Sequence, residues 1–137
     1  MDTNNEMRHA ILRVILAISG NDWVPEELSC ALGIQASRAT IRGKIPGPGR
    51  PPAPFTEWVF EAVREEGDSI DGPLEKALIP FAAKAEVLTG FVRKHGLSLT
   101  VNCVIEVEEQ MPELYLSSRS INLLAALGAS FGMDIYS

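Results

Sequence analysis

Four cations share a segment that holds no carboxylate. Arg38, Arg42, Lys44 and Arg50 lie between Leu28 and Thr56, and no Asp or Glu falls between those two residues. They leave 8 of the chain's 12 Lys and Arg to set against all 18 Asp and Glu. A basic stretch on an acidic body can attract a bound anion or an acidic protein surface, because opposite potentials steer encounter and fix register. An ordinary solvated loop has the same composition. Direct nucleic-acid recognition is not expected, since the stretch is short and its one nearby aromatic is Phe55.

Other reactive side chains are sparse. His9 and His95 are the two histidines, and neither stands beside a nucleophile motif. His95 fits better as a positive group at a helix end. Cys30 and Cys103 each occupy an apolar position and read as two small buried thiols rather than a disulfide framework. No Cys or His pair has metal-ligand spacing, and no glycine-rich phosphate loop joins a strand to a helix. Glu106, Glu108 and Glu109 cluster at a strand end, where solvated charge is the simplest reading. No catalytic residue, metal site or cofactor is therefore assigned.

These residues must be positioned by a chain of 137 residues, a length typical of one domain. Its apolar content of 46% supports a core, and its net charge of −6 argues against binding to polyanions or anionic membranes. The apolar run Ala10–Ile18 contains Arg13 and is about half the ~20 residues a membrane helix needs. The start, Met1–Glu6, is polar and acidic, unlike a secretory leader, so the expected location is the cytoplasm. Residues 1–7 read as a loose terminus.

Periodicity predicts the elements. His9–Ser19 is a strand, apolar on both faces, expected inside a sheet with something packed on each side. Pro25 opens a short helix with a stripe of Leu28, Ala31 and Leu32, and Gly33 ends it. Ser37–Gly43 is a short strand. The Pro/Gly-rich stretch 43–55 is a long exposed loop, in part extended as polyproline II. Phe55–Val63 is a strand and Glu65–Asp68 a polar turn. A long helix spans Asp71–His95, capped by Asp71 or Gly72, kinked or divided by Pro80 and stopped at Gly96. Leu97–Glu108 alternates most cleanly, with Val104 the exception. Leu114–Leu116 is extended. Ser117 or Ser118 caps a last helix with Ile121, Leu124 and Leu127 inward, and Met133–Tyr136 is a final strand.

The order β-α-β-β-α-β predicts an α+β fold: an antiparallel sheet with helices on one face, a ferredoxin-like split βαβ core extended by a C-terminal α-β unit. In that arrangement Leu97–Glu108 lies at a sheet edge. It is then covered by the last strand, by Leu114–Leu116, or by a second chain in a homodimer.

Gly20-Asn-Asp-Trp-Val-Pro-Glu-Glu-Leu-Ser29, then Leu32-Gly-Ile34, the strand after Trp58, and Leu124–Gly128 followed by Asp134–Tyr136 form an ordered set. That set resembles the bacterial domain-of-unknown-function family 4279 over nearly the whole chain. The resemblance implies a small single-domain protein and brings no activity or catalytic residue with it.

Three functions are compatible with these features. The first is a non-enzymatic protein-interaction module, in one form an immunity-like protein that neutralises a protein partner. The second is a small-ligand or anion-binding domain using Arg38, Arg42, Lys44 and Arg50. The third is an enzyme with carboxylate chemistry, which needs two acids converging in a pocket.

Overall fold

The computed structural model describes residues 9–137, so the expected loose terminus lies outside the described residues. The chain order is β1 (Ala10–Gly20), α1 (Pro25–Leu32), β2 (Arg38–Thr40), β3 (Thr56–Glu61) and β4 (Glu65–Gly67). It continues with α2 (Asp71–Ala82), α3 (Ala85–His95), β5 (Ser98–Val107), α4 (Ser118–Leu127) and β6 (Ser130–Tyr136).

The fold is α+β; the described residues form four helices and a sheet ordered β2-β3-β1-β5-β6, while β4 pairs with β1. The sheet is mixed rather than antiparallel throughout. β1, β2, β3 and β5 pair antiparallel, but β6 runs parallel to β5. The cause is the crossover through α4, which returns the chain in the direction β5 already has. β5 is consequently an interior strand, and of the expected covers it is the last strand that takes its edge.

One face of the sheet is dry. Leu12, Val14, Leu16 and Ile18 of β1 join Leu99, Val101, Cys103 and Ile105 of β5 in the core. Leu28, Leu74, Leu78, Phe81, Leu88, Leu124 and Leu127 from the four helices join the same cluster. Along β1 the alternate residues Ile11, Arg13, Ile15 and Ala17 are half-buried instead. The expectation of packing on both faces is corrected: cross-strand neighbours, not a second helix layer, shield that face. Val104, the exception to the β5 pattern, is buried there without belonging to the core cluster.

Local signals placed most helix ends. Pro25 opens α1, Gly33 ends it with φ 68°, and Gly96 ends α3 with φ 63°. These positive φ values favour glycine because a Cβ would crowd the backbone. The expected Asp71–His95 helix is two helices, broken at Ala83 and Lys84, with Pro80 retained inside α2.

Several expectations need correction. The N-cap of α2 is Ile70, without a side-chain cap, because the Asp71 carboxylate is engaged elsewhere. Glu65–Asp68 is not merely a turn, since Glu65–Gly67 forms β4. Leu114–Leu116 does not cover β5, whose edge β6 takes, and the preceding Glu113 makes an isolated bridge with Ser69. Ile121 is 51% exposed and Ser120 is the buried residue of that turn. Ala31 is likewise exposed. Cys30 faces solvent, and only Cys103 is a buried thiol.

Candidate functional site

The sheet has two edges, and they differ in kind. The β2 edge is three residues long and carries Arg38. Ser37 holds its start: its N–H donates to Val59 O at 2.7 Å, and its hydroxyl accepts the Glu61 N–H at 2.8 Å. The Pro/Gly-rich loop then folds back on itself. Gly43 N–H donates to Ala53 O at 2.9 Å, and Ala53 N–H to Lys44 O at 2.8 Å. The loop is thus pinned at its base, with Ala53 buried as its anchor.

Thr56 ties this loop to the body. Its hydroxyl accepts the Arg42 N–H at 3.0 Å and donates to Asn21 O at 3.1 Å, and its carbonyl accepts Trp23 Nε1–H at 3.2 Å. Trp23 is buried, edge-on to Phe91 at 6.0 Å. A shallow hollow of about 620 Å³ lies over this node, and of the four cations Arg42 alone lines it. Its guanidinium lies 3.8 Å from Asp22 Oδ1 in an exposed pair. Arg38 is on the strand, and Lys44 and Arg50 are on the loop, all exposed. They share one border of the molecule without lining one cavity.

The β6 edge is longer and barely charged. Ser130–Tyr136 has no Lys, Arg or Pro. Its register with β5 puts Phe131, Met133 and Ile135 beside Val101, Cys103 and Ile105, on the helix side. Met133 is 42% and Ile135 45% exposed, so this apolar stripe runs past the helix layer. On the other side Asn102 Nδ2 donates to the Asp134 carboxylate. It reaches across because its neighbour in register is Gly132, where a Cβ would sit 2.9 Å from Asn102 Oδ1. Alternate N–H and C=O groups of β6 point outward, and among the described residues no strand receives them.

Carboxylates meet cations rather than one another across the sheet. Arg13 Nη1 donates to Glu61 at 3.2 Å, and Arg64 lies 3.7 Å from Glu106. Among the described residues no group of three or more His, Cys, Asp or Glu is placed to hold a metal ion. Among them, too, no helix is long and apolar enough to cross a membrane.

The chain matches the family described as Domain of unknown function (DUF4279) over residues 9–137. It belongs to that family. No curated protein and no solved structure matches it. The DUF4279 match takes in both sheet edges, so β6 is part of the family domain rather than an appendage to it. Sequence reading missed the β6 edge as a candidate because it placed β5 outermost. The apolar alternation Phe131, Met133, Ile135 was the signal available.

Proposed function

We propose that the chain is a non-enzymatic protein-interaction module that accepts a strand along β6, and that the strand comes from a second copy of the same chain. The contrast between the two edges carries this reading. Sheets guard a free edge by making it short, charged or covered. The β2 edge is short and basic, whereas β6 offers seven residues, two exposed apolar side chains in Met133 and Ile135, and no cation.

Self-pairing also suits its sequence. Two β6 strands laid antiparallel about Met133 set Asp134 against Gly132 and Ile135 against Phe131 of the other copy. No like charges oppose, and Phe131, Met133 and Ile135 each meet another apolar residue, the kind of cross-strand pair that stabilises sheets. The reading takes the chain as one cytoplasmic domain. The antiparallel run β2-β3-β1-β5 supports viewing its first part as a ferredoxin-like split βαβ core.

Light scattering across a concentration series tests the proposal. The expected wild type is a dimer, and Ile135→Lys is a monomer with unchanged circular dichroism. A wild type that stays monomeric at hundreds of micromolar refutes self-pairing. Recovery of a stoichiometric partner protein in place of the dimer would instead assign the edge to a heterologous, immunity-like complex.

The hollow at Arg42 favours a second reading, an anion site there. Stabilisation by phosphate that disappears in Arg42→Ala supports it, and no stabilisation removes it.

A further inference from the structure

The longest run of the sequence without Asp, Glu, Lys or Arg is Ser120–Met133, which carries most of α4 into β6. A helix on a protein surface keeps charged or polar residues on its outer face, and α3 does so with Glu86, Arg93 and Lys94, all exposed. The outer face of α4 instead shows Ser118, Ile121, Asn122, Ala125 and Ala126. Its one charged residue, Arg119, is turned to Glu75 of α2 at 2.8 Å. Charge is depleted in this way at the centre of protein interfaces.

The uncharged flank of α4 lies on the β6 side of the molecule. Arg119 and Ser120 reach α2, which packs over β1. At about 100° a residue, Ile121 stands about 200° round the helix from Arg119, on the flank away from α2. β5 and β6 follow β1 in the sheet, so that flank faces the β6 edge. The heights match as well. α4 returns the chain between parallel strands, so it runs against β6. Ile121 lies six residues before Leu127, the end of α4, or about 9 Å along the helix. Met133 lies three residues past Ser130, the start of β6, or about 10 Å along the strand. Ile121 and Met133 are therefore level.

Self-pairing of β6 about Met133, on which this inference rests, puts a two-fold axis at that level. We propose that α4 is the second layer of the same interface, packing antiparallel against α4 of the other copy with Ile121 at the axis. A two-fold contact sets each patch against its own image, which an uncharged apolar face tolerates and a charged one does not. Ser118 and Ala125, one turn to either side of Ile121, are small enough to let the helices approach. Size points the same way. A standard interface uses about 20–30 residues a side, and β6 supplies seven.

Disulfide trapping and light scattering on the full chain test this. In a Cys30→Ser background, Ile121→Cys should give a covalent dimer on mild oxidation, because the axis brings position 121 within disulfide reach of itself. Ile79→Cys in that background should not, although Ile79 and Ile121 are both 51% exposed, since Ile79 lies on α2. Ile121→Glu sets two carboxylates face to face, so the dimer dissociation constant should rise about a hundredfold with circular dichroism unchanged. A wild-type dimer that Ile121→Glu leaves equally tight, or that Ile121→Cys does not cross-link, overturns the α4 layer and leaves β6 pairing to its own variant, Ile135→Lys. A wild type that stays monomeric overturns both. The trapping result decides the matter by itself if Ile121→Glu does not fold.

Discussion

Asp71 accepts the hydroxyl of Ser120 at 2.6 Å across 49 residues of sequence. The same oxygen also accepts the N–H and the hydroxyl of Ser117, at 2.9 and 3.1 Å. Ser117 is the N-cap of α4, its hydroxyl accepting the Ser120 N–H at 3.2 Å. A carboxylate in the first turn of α2 thus completes the cap of α4. Anions are favoured at both sites, because the first N–H groups of a helix lack internal acceptors.

Replacing Asp71 with Ala should therefore loosen the α2–α4 contact. Ser120 is fully buried, so its hydroxyl would lose its shortest acceptor away from water. The expected cost is about 1–2 kcal/mol at neutral pH, read as a lowered urea midpoint. The pH dependence has a definite sign. The Ser120 hydroxyl, then the Ser117 N–H, hold the Asp71 carboxyl below its usual 3.8. The stabilisation is present above that pH and is lost as pH falls through the lower folded value. The gap between wild type and Asp71→Ala should shrink below pH 3.8, and a gap that widens in acid contradicts the assignment.

Trp58 offers a second test. Its ring is fully buried, edge-on to Phe81 at 6.0 Å, and its Nε1–H donates to the Ser29 hydroxyl at 2.9 Å. Ser29→Ala removes that acceptor from a buried donor and should cost about 1–3 kcal/mol in urea unfolding. Trp58→Phe removes the donor together with part of the ring and leaves a space, so it should cost more. In the Trp58→Phe background Ser29→Ala should be close to neutral. Additive effects would show that the hydrogen bond is not what couples them.

The parts of the fold legible in the sequence are those decided by near neighbours. Pro25, Gly33, Gly96, Ser117 and Gly128 punctuate helices through their own backbone chemistry, and each acts where its type suggests. Alternation along β5 likewise exposes its buried face. Pairing is a different matter. Glu65-Glu-Gly67 has turn composition and becomes β4 because β1 extends past β3 to receive it. The parallel sense of β6 depends on how α4 crosses the sheet, which no residue of β6 encodes. The four cations were visible as a segment, but whether they converge depends on how the loop folds back through Gly43 and Ala53. The β6 edge was hidden because its vacancy is a property of the sheet order.

The Asn102–Asp134 bond across β5 and β6 depends on a missing side chain. A Cβ at Gly132 would lie 2.9 Å from Asn102 Oδ1, so Gly132→Ala forces the amide to swing away from Asp134. The amide is the mobile end of its side chain, so the cost should be that of one surface hydrogen bond, about 0.5–1.5 kcal/mol. In an Asn102→Ala background the same substitution should cost nothing or stabilise slightly, since Ala restricts the unfolded chain. A double-mutant cycle measures this, and zero coupling between positions 102 and 132 would exclude the mechanism.

The two thiols should differ sharply in reactivity. Cys30 is exposed on α1, while Cys103 is buried in β5, where burial pushes its pKa up to about 11. The thiolate is the reactive form. At pH 8 roughly one Cys103 in a thousand carries it, and that one is shielded by the core. A thiol-disulfide reagent should therefore titrate one group per native chain quickly and the second only as the chain unfolds. Cys30→Ser should remove the fast phase entirely. The raised pKa also has a consequence for stability: the neutral Cys103 thiol favours the folded state fully below about pH 9.0, and that contribution is lost as pH rises towards about 11. Cys103→Ala should flatten this alkaline loss while lowering stability at pH 7 through the space it leaves. Two thiols reacting at equal rates in the native chain would mean that β5 is not sealed between the helices and its neighbouring strands.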